Sequence, residues 1–183
     1  MLTKDMHKNE VEGFLEGKGD FVCIDYLTRY LKLMPPIEMR KFAYLKLAEI
    51  YLEKSMFSSA AEAFKNAALN SVPFREKQNF YLNEAKAWIS AFDFDKSDKA
   101  LKRAMDEANN REKEEIYREF ISSFNKEMQK IENSTKYGHL MKLYEKFLKL
   151  KISNDERERT KEKLLKIYEK LGKIKEYKLL ENS

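Results

Sequence analysis

Glycine and proline are scarce in this chain of 183 residues, which has five of the first and three of the second. An all-β sandwich needs many turn residues, and a dinucleotide-binding α/β fold needs a glycine-rich phosphate loop. The scarcity of both residue types argues against these two fold classes. Hydrophobic residues nevertheless make up 43% of the chain, which is enough for a folded core and excludes general disorder. The composition predicts helix almost everywhere.

Cysteine and histidine are also rare: the chain has one cysteine, Cys23, and two histidines, His7 and His139. A single cysteine excludes an internal disulfide framework and a zinc site built from several cysteines, and it suits a reducing compartment. The two histidines lie far apart in the sequence and outside any HExxH-type spacing. No glycine-rich phosphate-binding motif is present. We therefore expect no catalytic residues, no metal, no cofactor and no enzymatic activity.

Long hydrophobic runs are missing as well. No run approaches the roughly 20 residues that a membrane-spanning helix needs, and the first residues lack the hydrophobic core of a signal peptide. We therefore expect a cytoplasmic protein without a membrane span. Charge, in contrast, is abundant and uneven: residues 126–183 contain 16 Lys and Arg against 10 Asp and Glu. The excess of positive charge lies in the C-terminal third.

Hydrophobic residues recur at helical spacing in ten stretches, and no stretch alternates as a half-buried strand does. Gly17 and Gly19 follow the first stretch, and Pro35 and Pro36 stop the second. The sequence predicts helices at 3–16, 20–33, 37–54, 57–70, 73–91, 94–109, 111–132, 135–150, 154–171 and 173–181. Because the connections are short, neighbouring helices are expected to pair antiparallel.

The clearest pattern lies in residues 40–73, where two successive helices each carry a face of aromatic and small residues. On the first helix the face recurs at i, i+3, i+4 and i+7, with Tyr44, Leu47, Ala48 and Tyr51. On the second helix the corresponding residues are Ala60, Phe64 and Ala67, and Pro73 follows. Small residues let helix axes approach closely, and the aromatic rings fill the gaps beside them.

This pattern resembles the tetratricopeptide repeat, W-x2-L-G-x2-Y, then A-x3-F, then P. A second copy follows 37 residues later in 77–108, with Glu84 at a normally apolar position. Residues 111–150 resemble a degenerate copy, and 153–183 resemble a C-terminal cap. The segment around residues 47–70 is also similar, more weakly, to SNAP-type membrane-fusion adaptors. The resemblance implies an all-α right-handed solenoid of antiparallel helix pairs, forming a single domain over 1–183.

In tetratricopeptide arrays the first helix of each pair lines a concave groove that binds a partner. By that correspondence the groove residues are Phe42, Leu45, Glu49, Leu52, Asn79, Leu82, Lys86 and Ile89. Five of these eight are large and hydrophobic, which is unusual for a surface that meets water. Two interpretations stay open. Either a terminal helix of this chain covers them, or they bind an amphipathic helix or extended peptide of another protein.

One subtype of the family, the carboxylate clamp that binds chaperone C-termini, does not fit this sequence. Among the positions that form the clamp, only Asn83 has a suitable residue. We therefore expect a scaffold or adaptor for another protein. The alternative is a nucleic-acid-associated protein that uses basic C-terminal helices. Its candidate residues form one stripe of Lys142, Lys146 and Lys149 and another of Lys163, Lys166, Lys170 and Lys173. Interspersed glutamates favour a solvated surface instead. The sequence leaves the partner and homo-oligomer formation open.

Overall fold

The computed structural model describes residues 2–132 and 136–182, and in these ranges all regular secondary structure is helical. The ten helices are α1 (Lys8–Leu15), α2 (Asp20–Lys32), α3 (Ile37–Glu53), α4 (Phe57–Leu69), α5 (Phe74–Ser90), α6 (Phe94–Asp106), α7 (Asn110–Glu132), α8 (Tyr137–Leu148), α9 (Asn154–Lys170) and α10 (Ile174–Glu181). The prediction of an all-α chain with ten helices is confirmed.

The largest difference from the predicted bounds concerns α1, which begins at Lys8 and not near residue 3. Its start is fixed by Glu10, whose carboxylate accepts a hydrogen bond of 2.6 Å from the backbone N–H of His7. A carboxylate in this position satisfies a donor that the first helical turn leaves free.

By Cα proximity the chain divides into two compact units, Met1–Tyr117 and Arg118–Ser183, called here the N-terminal and the C-terminal unit. In the N-terminal unit each helix from α2 to α5 packs against the next one along the chain. In the C-terminal unit α9 packs against both α8 and α10. A single domain over 1–183 stays a prediction.

The 37-residue spacing between the two sequence motifs also separates the helices that carry them. Helices α3 and α5 both have 17 residues, and α4 and α6 both have 13. Every bound of the second pair lies 37 residues after its counterpart in the first, as Ile37 and Phe74 show for the helix starts. Two consecutive helix pairs therefore have the same length and the same register.

The turns inside these pairs are also equivalent. Ser55 and Phe92 lie 37 residues apart, and both adopt the left-handed backbone, with φ of 57° and 60°. In each turn the next backbone N–H donates to the carbonyl five residues earlier, from Met56 to Tyr51 at 2.8 Å and from Asp93 to Trp88 at 3.1 Å. This is the Schellman arrangement that ends many helices. Although the position favours glycine, neither turn of these two pairs has one.

Helix α5 packs extensively against two neighbours, α4 and α6. Its buried residues are Gln78, Tyr81, Leu82, Glu84, Ala85, Ala87, Trp88 and Ile89. Helix α3, of equal length, buries three residues: Ala43, Leu47 and Ala48. The two helices that carry the predicted groove therefore differ in how much of their surface is free.

Candidate functional site

The eight predicted groove residues divide equally between α3 and α5. On α3, Glu49 and Leu52 are exposed, and Leu52 keeps 39% of its surface in solvent. Phe42 and Leu45 on the same helix are half-buried. Because the four residues follow each other at i, i+3, i+7 and i+10, they form one stripe, which we call the α3 face.

The corresponding residues of α5 lie in a different environment. Leu82 and Ile89 are buried, with 3% and 1% of their surface exposed. Asn79 is exposed and Lys86 is half-buried. The two hydrophobic residues that the sequence assigned to a groove on α5 are therefore part of the core, where a partner cannot reach them.

Gln78 shows what lies beside this part of α5, since it shares a helix face with Leu82 and Ile89. Its side-chain amide donates to the backbone carbonyl of Glu107, at the end of α6, and to the Glu112 carboxylate of α7 at 3.3 Å. At its Gln78 end the face therefore points toward the α6–α7 connection and the start of α7.

The N-terminal helix lies beside α3. The Lys8 ammonium of α1 lies 5.5 Å from the centre of the Phe42 ring, within the range of a cation–π interaction. Nearby, Lys46 and Glu49 of α3 form an ion pair of 3.0 Å. The Lys8 contact brings the side chain of a terminal helix against Phe42 at one end of the α3 face, whereas Leu52 at the other end of the face is exposed.

Helix α3 also borders a cleft that the sequence did not indicate. Tyr44 and Tyr51, expected as core residues, are half-buried and line a cleft of about 460 Å³ together with Ser58 and Ser59 of α4. In the described part of the chain these four hydroxyl groups form no hydrogen bond, so they are free to bond to a ligand or to water. Tyrosine and serine together are typical of adaptable protein-binding surfaces.

The second repeat holds a buried ion pair. Glu84 of α5 is 2% exposed, and its Oε1 accepts hydrogen bonds from the Arg103 guanidinium at 2.6 Å and from the Trp88 indole at 3.3 Å. Burial raises the pKa of the Glu84 carboxyl, and Arg103 acts against that rise by lowering it. The guanidinium also lies 5.3 Å from the centre of the Tyr81 ring. The pair links α5 to α6 and is closed to solvent on the Glu84 side.

Sequence reasoning noted Glu84 as a departure from the repeat but did not find its partner. The position one repeat earlier is Leu47, which is buried in the usual way with 4% exposed. One repeat before Arg103 lies Asn66. Both members of the ion pair thus lie where the first helix pair has uncharged residues, and a comparison of the two copies at both positions indicates the pair.

The C-terminal lysines differ in their surroundings. In the stripe of Lys163, Lys166, Lys170 and Lys173, which begins on α9 and ends just before α10, three of the four lysines have a partner. The contacts are Lys163 with Glu132 at 2.7 Å, Lys170 over the Tyr137 ring at 5.0 Å, and Lys173 with Glu176 at 3.1 Å. Lys166 is exposed, as are Lys142 and Lys149 of the other stripe, while Lys146 is half-buried. The two stripes are therefore not equally available to a polyanion.

No cluster of three or more His, Cys, Asp or Glu side chains with the geometry of a metal site occurs in residues 2–132 and 136–182. Cys23 is buried, and its sulfur lies 3.7 Å and 3.8 Å from the backbone carbonyls of Lys18 and Leu15. Among the described helices, none is both long and apolar enough to cross a bilayer.

Comparison with known proteins gives no family for this chain. No model of a protein family matches it, and no curated protein sequence matches it significantly. The similarity to tetratricopeptide repeats therefore rests on the residues of 40–108 and on the helix spacing.

Proposed function

We propose that this protein is a cytoplasmic, tetratricopeptide-like scaffold whose helix pairs, stacked as a right-handed solenoid, hold a segment of another protein. The binding surface is the α3 face, with Asn79 and Lys86 of α5 beside it. The proposal involves no catalytic step, no cofactor and no metal.

The observation that carries the proposal is the exposure of the α3 face in an otherwise well-packed repeat. Leu52 is 39% exposed and Leu45 is half-buried, although the residues on the opposite side of α3, Ala43 and Leu47, are buried. Hydrophobic residues at helical spacing beside a carboxylate, here Glu49, suit an amphipathic helix or an extended segment from a partner. The cleft of tyrosines and serines on α3 and α4 offers hydrogen bonds close to the same helix.

The experiment compares affinity capture from the native cell with the wild-type chain and with a Leu45→Glu/Leu52→Glu variant. We expect the variant to keep its helical circular dichroism and to lose the partner that the wild type retains at high salt. Leu171→Glu is the matched control, because Leu171 is 42% exposed and lies after α9. Retention of the same partner by the α3 variant contradicts the proposal.

The alternative is association with nucleic acid through the C-terminal lysines. Its support is the exposure of Lys142, Lys149 and Lys166, none of which forms an ion pair within residues 2–132 and 136–182. Phosphate binding of this kind falls steeply and linearly on a logarithmic salt scale. Titration of a fluorescent oligonucleotide at several salt concentrations tests it. Tight binding at physiological salt, abolished by Lys142→Glu/Lys146→Glu/Lys149→Glu, favours this alternative over the scaffold.

A further inference from the structure

We propose that the C-terminal unit carries a second binding site, which takes an acidic amphipathic peptide from a partner protein. The site is a cleft of about 550 Å³ lined by residues of α8, α9 and α10, a volume typical of ligand-binding clefts. We call it the C-terminal cleft. Its hydrophobic lining consists of Leu148, Leu164, Tyr168 and Leu180, and its cations are Lys149, Arg157 and Lys161.

The walls of the C-terminal cleft are fixed by hydrogen bonds between its helices. The Arg157 guanidinium of α9 donates to the backbone carbonyls of Leu148 at 2.8 Å and Leu150 at 3.3 Å, at the end of α8. The Tyr168 hydroxyl of α9 donates to the Glu145 carboxylate of α8 at 2.9 Å. Burial raises the pKa of Tyr168, so this donor stays protonated over the neutral range. A cleft held open in this way loses little entropy when a ligand binds.

Two of the cations are available to a ligand. The side-chain ammonium groups of Lys149 and Lys161 form neither an ion pair nor a hydrogen bond within residues 2–132 and 136–182. Lys163, on the same helix as Lys161, is in contrast paired with Glu132 at 2.7 Å. Residues 118–183 hold 17 Lys and Arg against 11 Asp and Glu, so the surrounding potential is positive. Carboxylates on the ligand complement both the local cations and this potential.

The lining favours a peptide over a nucleic acid. Leu148 and Leu180, both half-buried, give the cleft an aliphatic surface that suits leucine-sized side chains, while Leu164 is 1% exposed and adds little to it. Tyr168 is 6% exposed and presents no free ring face on which a base could stack. Glu158 at the cleft carries an unpaired carboxylate in the described part of the chain, which repels a continuous phosphate backbone. A peptide can place its carboxylates beside the lysines and its leucines on the aliphatic surface.

The test measures fluorescence anisotropy of short labelled peptides with the full chain. One peptide combines leucines and glutamates at helical spacing; the second replaces its glutamates by lysines; the third replaces its leucines by serines. We expect the acidic leucine peptide to bind, the serine peptide to bind about tenfold more weakly, and the lysine peptide not to bind. A single-stranded oligonucleotide serves as the competing ligand.

Matched charge variants locate the binding. Lys149→Glu/Lys161→Glu is expected to lower the affinity for the acidic peptide by about tenfold or more, because both cations border the cleft. Lys142→Glu/Lys166→Glu changes the net charge equally at exposed lysines outside the lining, and we expect it to change affinity by less than about threefold. Glu158→Gln, which removes the unpaired carboxylate, is expected to tighten binding.

Several outcomes overturn the proposal. The first is that the acidic leucine peptide does not bind. The second is that Lys149→Glu/Lys161→Glu and Lys142→Glu/Lys166→Glu weaken peptide binding equally. The third is that the oligonucleotide displaces the peptide and binds more tightly. The Leu45→Glu/Leu52→Glu variant of the α3 face is expected to bind the acidic peptide like the wild type. Failure of the C-terminal cleft and failure of the α3 proposal are therefore distinguishable. Where a glutamate variant loses helical circular dichroism, Lys149→Gln/Lys161→Gln replaces it.

Discussion

Helices α3 and α5 occupy the same place in two consecutive copies of one repeat, yet their equivalent residues meet opposite environments. Leu52 of α3 is 39% exposed, and Ile89, its counterpart 37 residues later, is 1% exposed. Leu45 is half-buried, and its counterpart Leu82 is buried. The residue types are nearly the same in both helices. Exposure is therefore determined by what packs against each helix, and not by the repeat position.

The neighbours of the two helices explain the difference. Helix α5 packs against α4 and α6, and Gln78 adds hydrogen bonds toward α7. Helix α3 packs against α4 but much less extensively against α2, and α1 reaches it through Lys8 at the Phe42 end. A helix with fewer neighbours keeps a free face, and this free face is where we place partner binding.

The largest expected effect on stability comes from introducing a carboxylate at equivalent positions of α3 and α5. Leu82→Glu forces a carboxylate into the core, and we expect a loss of about 3 kcal/mol or more in the free energy of unfolding. Leu45→Glu, at the equivalent but half-buried position, is expected to lose less than about half of that. Urea denaturation of the two variants measures the difference, and equal losses mean that the helices are equally enclosed.

The buried ion pair gives the next largest effect. Arg103→Asn, which restores the residue of the first repeat, leaves Glu84 buried without its cation. Because the Arg103 side chain is 37% exposed, we expect the cost to be reduced by solvent to about 2 kcal/mol near pH 8. Glu84→Leu, which copies Leu47, leaves an arginine that can turn toward water. We expect it to change the unfolding free energy by less than about 1 kcal/mol.

The cost of Arg103→Asn depends on pH in a defined direction. Burial raises the pKa of Glu84 above its ordinary value of 4.5, and loss of the arginine raises this pKa further. A carboxyl whose pKa is higher in the folded state stabilises the fold below its ordinary pKa, and this stabilisation is lost as the pH rises through the folded-state pKa. The difference between variant and wild type is therefore expected to grow as the pH rises above about 4.5, because the paired carboxyl of the wild type ionises before the unpaired carboxyl of the variant. A difference that shrinks with rising pH contradicts the assignment.

Small residues at the helix crossings provide a comparison in which both repeats should behave alike. Ala67 and its counterpart Ala104 are both fully buried. Ala67→Leu and Ala104→Leu are each expected to cost about 1 to 3 kcal/mol through overpacking. Lys65→Leu, on the solvent side of α4, serves as the control and is expected to cost much less. Thermal melts in which Ala67→Leu matches the wild type would show that the crossing is not close.

The smallest effect concerns the left-handed turn residues. Ser55→Gly removes the steric cost of a side chain at φ of 57°, and we expect a gain of about 0.5 kcal/mol. Phe92→Gly relieves the same strain at φ of 60° but removes a ring that lies 6.4 Å from the Phe94 ring. It is therefore expected to gain less or to lose stability. A Ser55→Gly variant that melts below the wild type contradicts the Schellman arrangement of this turn.

Much of the fold could be predicted from the sequence because it depends on local signals. Helical periodicity, the scarcity of glycine and proline, and the spacing of Tyr44, Ala48 and Ala67 all act within one or two helices. The predicted start of α1 is wrong, because the true start depends on one hydrogen bond that the Glu10 carboxylate accepts from the His7 backbone N–H.

The candidate site was harder to predict, because exposure depends on residues that are distant in sequence. Nothing local distinguishes Leu45 from Leu82, since both lie at the same repeat position in an apolar context. The Glu84–Arg103 pair spans 19 residues and two helices, and a one-dimensional pattern shows only the unusual glutamate. The C-terminal cleft depends on how α8, α9 and α10 pack, which the lysine spacing did not indicate.

The accessibility of Leu52 and Ile89 can be measured directly, because the chain has only one cysteine. In a Cys23→Ala background, Leu52→Cys and Ile89→Cys each introduce a single thiol at equivalent positions of α3 and α5. The reaction of each with a thiol-specific reagent under native conditions is compared with its reaction in denaturant. We expect Leu52→Cys to react in the folded state nearly as fast as in the unfolded chain, and Ile89→Cys to be strongly protected. Similar native rates for the two thiols would contradict the difference in exposure between α3 and α5.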